Sequence, residues 1–175
     1  ILTRSEDIDI LINNAGFGLF GEFSQIDLNK ELEMINTNIK AVHLLTKLFL
    51  RDMKKRNSGY IMNVASSAAF GPGPLMATYY ATKAYVNSLT EAISEELRRS
   101  GANVSICSLC PGPVDTNFNN VAGVEFAIKP LSSDYVAKYG IDKMLQGKTV
   151  IVPGFLMKLT LFARRFAPRS LVRRI

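Results

Sequence analysis

Histidine and cysteine are scarce in the 175-residue sequence, and their scarcity excludes several kinds of site. The single histidine, His43, cannot build a histidine metal site, so no metal is predicted. Cys107 and Cys110 are too few for a disulfide framework and fit a reducing, cytoplasmic compartment. They lie in the strand-like run NVSICSLC, where residues three positions apart face opposite sides of a sheet. This geometry disfavours a redox or metal role for the pair.

Long hydrophobic runs are also absent. No stretch of about 18 apolar residues occurs, so no membrane-spanning helix is predicted. The sequence begins ILTRSEDIDI, which lacks the pattern of a signal peptide. With 47% hydrophobic residues, the chain predicts one globular domain with a substantial core.

Acidic residues are missing from residues 155–175, which carry six of the 21 basic residues. The other 15 basic residues balance 15 acidic ones, so the rest of the chain is neutral and offers no broad nucleic-acid surface. In this tail, Leu156, Leu159, Phe162 and Phe166 fall on one side of a predicted helix. That side either packs on the domain or on a partner subunit, or it lies on an anionic membrane. We favour packing, because amphipathic helices in soluble domains usually bury their apolar side.

Residues 66–83, SSAAFGPGPLMATYYATK, are the most informative stretch. Lys83 follows Tyr79 by four positions, so the two side chains share one face of a helix. A phenol beside an ammonium group is biased toward phenolate, and such a tyrosine can give or take a proton. Ser66 ends a strand-like run thirteen residues before Tyr79. Its hydroxyl could hydrogen-bond the same carbonyl oxygen that the phenol protonates.

A strand, a serine, a loop of glycine and proline and then Y-x-x-x-K together resemble the catalytic segment of the short-chain dehydrogenase/reductase family. The family spacing favours Ser66 over Ser67, and Tyr79 over Tyr80. The resemblance implies that Tyr79 is the general acid/base and that Ser66 positions the substrate oxygen. It also implies that Lys83 lowers the pKa of Tyr79 and holds the nicotinamide ribose hydroxyls.

A long helix is predicted over residues 28–56, with Asp27 as its N-cap. Asn36 and Asn38 lie in its middle, although asparagine is a mediocre helix former and needs a partner or a role when buried. The segment INTNIKAV resembles the family segment whose asparagine supports a proton relay through water and lysine. This implies the relay role for Asn38, with Asn36 as the weaker candidate. The predicted apolar stripe of the helix is Leu28, Leu32, Ile35, Ile39, Val42, Phe49 and Met53.

Two further segments are similar to family motifs at the cofactor site. The strand IDILI ends in the sequence NNAG, whose amides and small residues suit a backbone that approaches a ligand closely. By resemblance, this motif stabilises the central sheet and lies beside the adenosine side of the cofactor. The segment PGPVDT, residues 111–116, resembles the P-G-x-V-x-T segment that meets the nicotinamide carboxamide. The implied cofactor-binding residues are Asn13, Ala15, Gly16, Tyr79, Lys83, Pro111, Gly112, Val114 and Thr116.

Apolar loops flank these motifs. Phe17 lies in a loop rich in glycine and phenylalanine, where it either lines a substrate entrance or belongs to the core. Residues 117–131 occupy the place of the family's variable substrate loop, and Phe118, Val121, Val124 and Phe126 make it apolar. The resemblance implies an apolar carbonyl or alcohol substrate. The implied substrate-binding residues are Phe17, Ser66 and Phe118.

Strands that alternate with helices predict an α/β fold with a parallel sheet, and the resemblance implies a doubly wound, Rossmann-like one. The resemblance covers residues 8–154, the later part of such a domain, and residues 155–175 form the basic amphipathic tail. No glycine-rich dinucleotide turn precedes the strand IDILI. We therefore expect the domain to be incomplete at its N-terminus and IDILI to neighbour a strand of the missing part. The residue that selects NADP or NAD is expected in that part, so either cofactor fits.

The sequence predicts an oxidoreductase that transfers a hydride between NADP or NAD and a carbonyl or alcohol substrate. A row of small residues on the helix after Tyr79 suggests a homo-oligomer. Two alternatives come from other classes: a binding or scaffold protein that keeps the fold without catalysis, and a protein attached to a membrane surface by its tail. Retention of all four catalytic residue types favours the enzyme.

Overall fold

The computed structural model describes residues 7–118, 122–123 and 129–166. Parallel strands alternate with helices along these residues, and the predicted α/β fold is confirmed. The strands in chain order are β1 (Ile10–Asn13), β2 (Gly59–Val64), β3 (Val104–Leu109), β4 (Val114–Asp115), β5 (Leu131–Ser132) and β6 (Val150–Ile151). The main sheet has the order β1-β2-β3-β6, and β4 and β5 form a separate pair that was not predicted.

Helices connect the strands of the main sheet, as parallel strands require. Asn57, in the left-handed conformation, ends α2, and Gly101 ends α3 in the same way, as predicted for Gly101. The helical elements are α1 (Leu28–Ile35), a π-helical segment (Asn36–Ala41), α2 (Val42–Arg56), a 3-10 turn (Ser67–Phe70), α3 (Ala77–Ser100), α4 (Ser133–Leu145) and α5 (Phe155–Arg164).

The two faces of the sheet bury different clusters, because successive strand residues point to opposite sides. Ile61 and Ile106 are register partners and pack with residues of α2 and α3. Met62 and Cys107, the next pair, pack on the other face against α4. Cys110 belongs to a third cluster, with residues of α2 and α3, so the two cysteines pack on opposite sides of the sheet as predicted.

The helix predicted over residues 28–56 begins at the predicted cap, Asp27, whose side chain accepts a hydrogen bond from Lys30 N at 3.1 Å. Its predicted apolar stripe is wrong in α1: Leu28 and Leu32 are 65% and 47% exposed, while Glu31 and Met34 are buried. The π-helical segment explains the error, because its wider turns shift the phase of the helix. One straight stripe therefore cannot run through both α1 and α2.

Helix α5 has no buried residue. The side carrying Leu156, Leu159, Phe162 and Phe166 is exposed, so the prediction that it packs on the domain itself is wrong. The side that packs inward is the opposite one. Packing of the exposed side on a partner subunit stays a prediction, and the basic residues Arg169, Arg173 and Arg174 lie outside the described part.

Strand β1 lies at one edge of the main sheet and pairs with β2. Ile10 and Ile12 are 45% and 44% exposed there. Its last residue, Asn13, is nevertheless buried, because polar side chains from the neighbouring elements close over it.

Candidate active site

A cleft of about 560 Å³ opens where the parallel strands of the main sheet end. Gly16 follows β1, Ser66 follows β2 and Pro111 follows β3, and all three residues line the cleft. Parallel strands end at one edge of a sheet, which brings these distant positions together. The volume lies in the range of small-molecule and cofactor sites, about 300–1,000 Å³.

Tyr79, Lys83 and Ser66 share this cleft. Helix α3 begins at Ala77, so Tyr79 lies in its first turn and Lys83 one turn later on the same buried face. Their exposed fractions are 8% and 5%, and the Lys83 Nζ lies 5.8 Å from the centre of the Tyr79 ring. The predicted four-residue spacing therefore does place the ammonium group beside the phenol.

Ser66 stands between β2 and the 3-10 turn. Its Oγ accepts a hydrogen bond from Ala68 N at 3.1 Å, which fixes the side chain at the turn's beginning. The Ser66 side chain also lies near enough to the Tyr79 phenol to lower the pKa of that phenol. The serine hydroxyl and the phenol therefore point to one place, where a substrate oxygen could contact both.

Burial raises the pKa of Tyr79 to about 12. The Ser66 side chain opposes this rise, and the neighbouring Tyr80 adds to it. The direction is opposite to the lowering predicted from Lys83, because removing the phenolate from water disfavours it more than the surrounding groups favour it. Tyr79 is therefore protonated at neutral pH.

Burial lowers the pKa of Lys83 to about 8, an effect that the nearby Cys110 opposes. The Nζ donates a hydrogen bond to the Val64 carbonyl at 2.9 Å. An ammonium group has three N–H donors. Among the described residues, the Val64 carbonyl accepts one of these three N–H groups, so two N–H groups of Lys83 are left for a ligand in the cleft.

Asn38 lies behind the cleft rather than in its lining. It is 1% exposed in the π-helical segment, while the weaker candidate, Asn36, is exposed. Its Oδ1 accepts from Phe17 N at 3.1 Å, and its Nδ2 donates to Phe17 O at 2.9 Å and to Thr82 Oγ1 at 3.1 Å. Thr82 Oγ1 in turn donates to the Tyr79 carbonyl at 2.7 Å. Asn38 thus joins the loop after β1 to the turn of α3 that carries Tyr79.

Most of the predicted cofactor residues lie in the cleft lining. A Cβ on Gly16 would stand 2.9 Å from Asn38 Oδ1 and 3.3 Å from Lys83 Nζ, so this close approach requires glycine. Ala15 is exposed and does not line the cleft. The predicted cofactor residues that do line it are Gly16, Tyr79, Lys83, Pro111, Gly112, Val114 and Thr116.

Asn13 is placed elsewhere, in a buried polar network between the sheet and two helices. Its Nδ2 donates to Asn63 Oδ1 at 2.8 Å and to Thr46 Oγ1 at 3.2 Å. Asn63 Nδ2 donates to Thr90 Oγ1 at 2.9 Å. Asn13 therefore supports the sheet and does not line the cleft, because both of its amide N–H groups are used inside the core.

The predicted substrate residues Phe17 and Phe118 both line the cleft. The Phe118 ring lies 5.3 Å from the Tyr79 ring. Met76 packs in the same cluster, so the wall next to Tyr79 is apolar. The other apolar residues predicted for the substrate loop, Val121, Val124 and Phe126, lie outside the described residues.

Sequence reasoning missed several residues at the site. Asn14 lines the cleft, although the prediction chose its neighbours in the NNAG motif. Thr82 was missed as well. The sequence feature that could have identified it is its position three residues after Tyr79, on a neighbouring face of the helix. Tyr80 lines the cleft and packs against the Gly73 backbone. No cluster of three metal-ligating side chains occurs in the described part of the chain.

Comparison with known proteins identifies the family. The family model for short chain dehydrogenases matches residues 1–124, and the chain belongs to this family. An uncharacterized oxidoreductase of Staphylococcus saprophyticus is 34% identical over 143 residues, which are 82% of this chain and 54% of that protein. The ketoacyl reductase HetN of Nostoc sp. is 40% identical over 107 residues, 61% of this chain and 37% of that protein.

A solved relative has the same fold. A short-chain dehydrogenase from Sphingobium yanoikuyae in complex with NADPH superposes with a TM-score of 0.80 at 26% identity. The match covers 94% of this chain and 65% of that one. The chain spans about half the length of the curated relatives it matches, 46% in the case of a Staphylococcus epidermidis oxidoreductase.

Proposed function

We propose that the protein is an oxidoreductase that transfers a hydride between a nicotinamide cofactor and an apolar carbonyl or alcohol substrate. The observation that carries the proposal is one cleft in which Ser66, Tyr79 and Lys83 stand together. The predicted alternative of a non-catalytic scaffold would not need a buried lysine beside a buried tyrosine. Such a pair is costly to bury and is typical of functional sites.

The proton chemistry follows from the two pKa values. Tyr79, with its pKa raised to about 12, holds its proton at neutral pH and can donate it to an alkoxide, which is a far stronger base than phenolate. Ser66 donates a hydrogen bond to the substrate oxygen while charge develops on it. The Lys83 ammonium then stabilises the phenolate that remains. The protonated state of Tyr79 at neutral pH therefore suits it to act as the general acid in carbonyl reduction.

The cleft fits a nicotinamide cofactor, NADP or NAD, which supplies or accepts the hydride when it is bound. One N–H group of Lys83 donates to the Val64 carbonyl, and the other two suit the paired hydroxyls of a ribose. Gly16 places backbone close to Lys83, and Pro111, Gly112, Val114 and Thr116 line the same cleft. The relative from Sphingobium yanoikuyae, solved in complex with NADPH, supports this assignment.

Asn38 is proposed to support the relay that returns a proton to Tyr79. Its hydrogen bonds with Phe17 and Thr82 fix it beside Gly16, which Lys83 also approaches. Asn38 lies in the π-helical segment, and such segments occur frequently at functional sites. Asn38 acts through its neighbours rather than through the cleft, so its contribution is to position Tyr79 and Lys83.

The substrate is proposed to be apolar around its reacting oxygen. Phe17, Met76 and Phe118 line the cleft beside Tyr79, and their side chains offer no hydrogen bonds. The similarity to a ketoacyl reductase supports an acyl carbonyl among the candidates. A second copy of this chain stays a predicted partner, and the small-residue row on α3 is available for it, since Ala81, Ser88 and Ala92 are exposed.

Tyr79→Phe tests the proposal. The variant keeps the ring and loses the transferable proton, so turnover should fall by about 10²–10⁴-fold while cofactor binding stays within about twofold. Steady-state rates with a panel of apolar ketones and fluorescence titration with NADPH and NADH measure the two effects.

Tyr80→Phe is the matched control, since Tyr80 adjoins Tyr79 and also lines the cleft. It should retain most of the turnover. An inactive Tyr80 variant beside an active Tyr79 variant would show that the assignment is wrong.

A further inference from the structure

The side of helix α5 that packs on the domain is not its most apolar side. Met157, Leu161 and Arg164 follow one another at spacings of four and three and are only partly exposed. A Cβ built on Gly112 would overlap Met157, and one built on Gly71 would overlap the Arg164 guanidinium. The inward side of α5 therefore carries a charged residue.

The outward side of α5 is apolar. Phe155, Leu159, Phe162 and Phe166 also recur at spacings of four and three, which places them on one face. Their exposed fractions are 81%, 51%, 58% and 76%, and Leu156 beside them is 62% exposed. We call these five residues the outward face. Contiguous exposed apolar residues of this size mark interaction sites rather than ordinary surface.

The charge around the outward face is of one sign. Arg165 is exposed beside it, Lys158 is exposed and donates a hydrogen bond to the Tyr139 hydroxyl of α4 at 2.8 Å, and residues 155–175 carry six basic residues and no acidic one. A helix of this kind lies in the interfacial plane of a membrane, with its apolar side among the acyl chains and its basic residues at anionic headgroups. Each basic residue near such a surface contributes about 1 kcal/mol.

A second copy of this chain is the competing occupant. A twofold interface sets the same patch of both subunits face to face. Two outward faces would then set two copies of residues 155–166 together, each with three basic residues and no acidic one, and juxtaposed like charges oppose association. An anionic lipid surface satisfies the apolar side chains and the charges together.

We propose that the outward face of α5 docks on an anionic lipid surface. The helix has ten residues, about 15 Å along its axis, so it would lie along the surface. In the described part of the chain, no helix combines the length and the apolar character needed to cross a bilayer. The docking is therefore peripheral.

The inward contacts of α5 place the helix at the margin of the cleft, with the outward face on its far side. Met157 touches Gly112, which lines the cleft, and Arg164 touches Gly71, in the loop that leads to Tyr79. If the proposed function holds, the cleft receives a lipid-soluble carbonyl compound from the membrane. This second step rests on the proposed function, whereas the docking itself does not.

Co-sedimentation of the purified full chain with vesicles tests the docking. Vesicles that contain phosphatidylglycerol should bind the protein at low salt, and phosphatidylcholine vesicles should bind it at least about tenfold more weakly. The double variant Leu159→Ser/Phe162→Ser should lose at least about tenfold in binding, since it removes two inserted apolar side chains. Leu28→Ser/Leu32→Ser on α1 is the matched control, with two exposed apolar residues outside α5, and should bind as the wild type does.

Three results would overturn the proposal. The first is a wild-type protein that does not bind the anionic vesicles. The second is a control variant that loses as much binding as the α5 variant. The third is a dimer in sedimentation analysis that the α5 variant dissociates, which would assign the outward face to a second copy. Tyr79→Phe should bind vesicles normally, so failure of the docking and failure of the proposed function are distinguishable.

Discussion

Helices α3 and α5 break the usual amphipathic pattern in opposite ways. Helix α3 buries polar residues, among them Thr82, Lys83, Asn87 and Thr90. Helix α5 buries none of its residues and exposes its large apolar ones. Buried polar groups and exposed apolar patches are the informative exceptions in a folded chain. The comparison indicates that α3 is built for chemistry inside the domain and α5 for contact outside it.

The polar residues of α3 are tolerated because they are hydrogen-bonded. Asn87 Oδ1 accepts from Ser108 Oγ at 2.5 Å, and Thr90 Oγ1 donates to the Val86 carbonyl at 2.7 Å. Lys83 differs from them. Its bond to Val64 uses one of its three donors, so it is the buried residue of α3 that has the most hydrogen-bonding capacity left for a ligand.

After Tyr79→Phe, the largest effect is expected from Lys83→Met, which would break the α3 side of the comparison. Methionine keeps the length and apolar stem of lysine and removes the charge. Turnover should fall on the order of a hundredfold, and the affinity for NADPH or NADH should fall with it, because one group is proposed to serve both roles. Initial rates and fluorescence titration of the same preparation measure the two losses.

Stability separates a functional role of Lys83 from a structural one. Burial lowers its pKa from 10.5 to about 8, so below pH 8 the folded state carries a buried charge that the unfolded state solvates. That penalty is about 3 kcal/mol of folding free energy, and replacing Lys83 by methionine removes it. The replacement also removes the hydrogen bond to Val64, which costs about 1 kcal/mol. Lys83→Met should thus be more stable at neutral pH, and the difference should shrink as pH rises above 8. If urea unfolding shows that Lys83→Met is less stable than the wild type, Lys83 has a structural role and this prediction is contradicted.

Asn63→Leu should give the next largest effect. It removes the centre of the network that joins Asn13, Thr46 and Thr90, and leaves their buried polar groups unsatisfied. The free energy of unfolding should fall by about 2–4 kcal/mol. Urea unfolding measures it. Leu159→Gln on the outward face of α5 is the contrasting variant and should change stability by less than about 0.5 kcal/mol.

Among the variants in α3, Thr82→Val should change activity the least. The hydroxyl accepts from Asn38 and donates to the Tyr79 carbonyl, so its loss loosens the position of the phenol without touching the cleft. We expect kcat to fall by about fivefold, roughly 1 kcal/mol, with cofactor affinity unchanged. Thr82→Ser keeps the hydroxyl and should restore kcat. A Thr82→Ser variant as slow as Thr82→Val would show that packing, not the hydrogen bonds, matters here.

The local parts of the fold and of the site were predictable from the sequence. Caps at Asp27 and Gly101 depend on neighbouring residues, and the spacing of Tyr79 and Lys83 depends on helix geometry alone. Ser66 came from its place after a strand together with the family spacing to Tyr79. Each of these inferences needed only the chain within about one element on either side.

The long-range parts were not predictable in the same way. Asn13 and Asn63 are 50 positions apart, and nothing local indicates that their amides meet. The rise in the pKa of Tyr79 comes from burial, which depends on how α1, the 3-10 turn and the loop after β1 close over α3. The exposed side of α5 was not predictable from the sequence either. Its inward side is set by the contacts of Met157 and Arg164 with two glycines that are distant in sequence.

Tyr79 is proposed to be a general acid that is protonated at neutral pH. Ultraviolet difference titration of the wild type against Tyr79→Phe reports the ionisation of this one phenol. With the pKa raised to about 12, no phenolate signal from Tyr79 should appear between neutral pH and its ordinary pKa of 10.0. A Tyr79-dependent phenolate signal already present near neutral pH, in the protein without cofactor, would contradict the account.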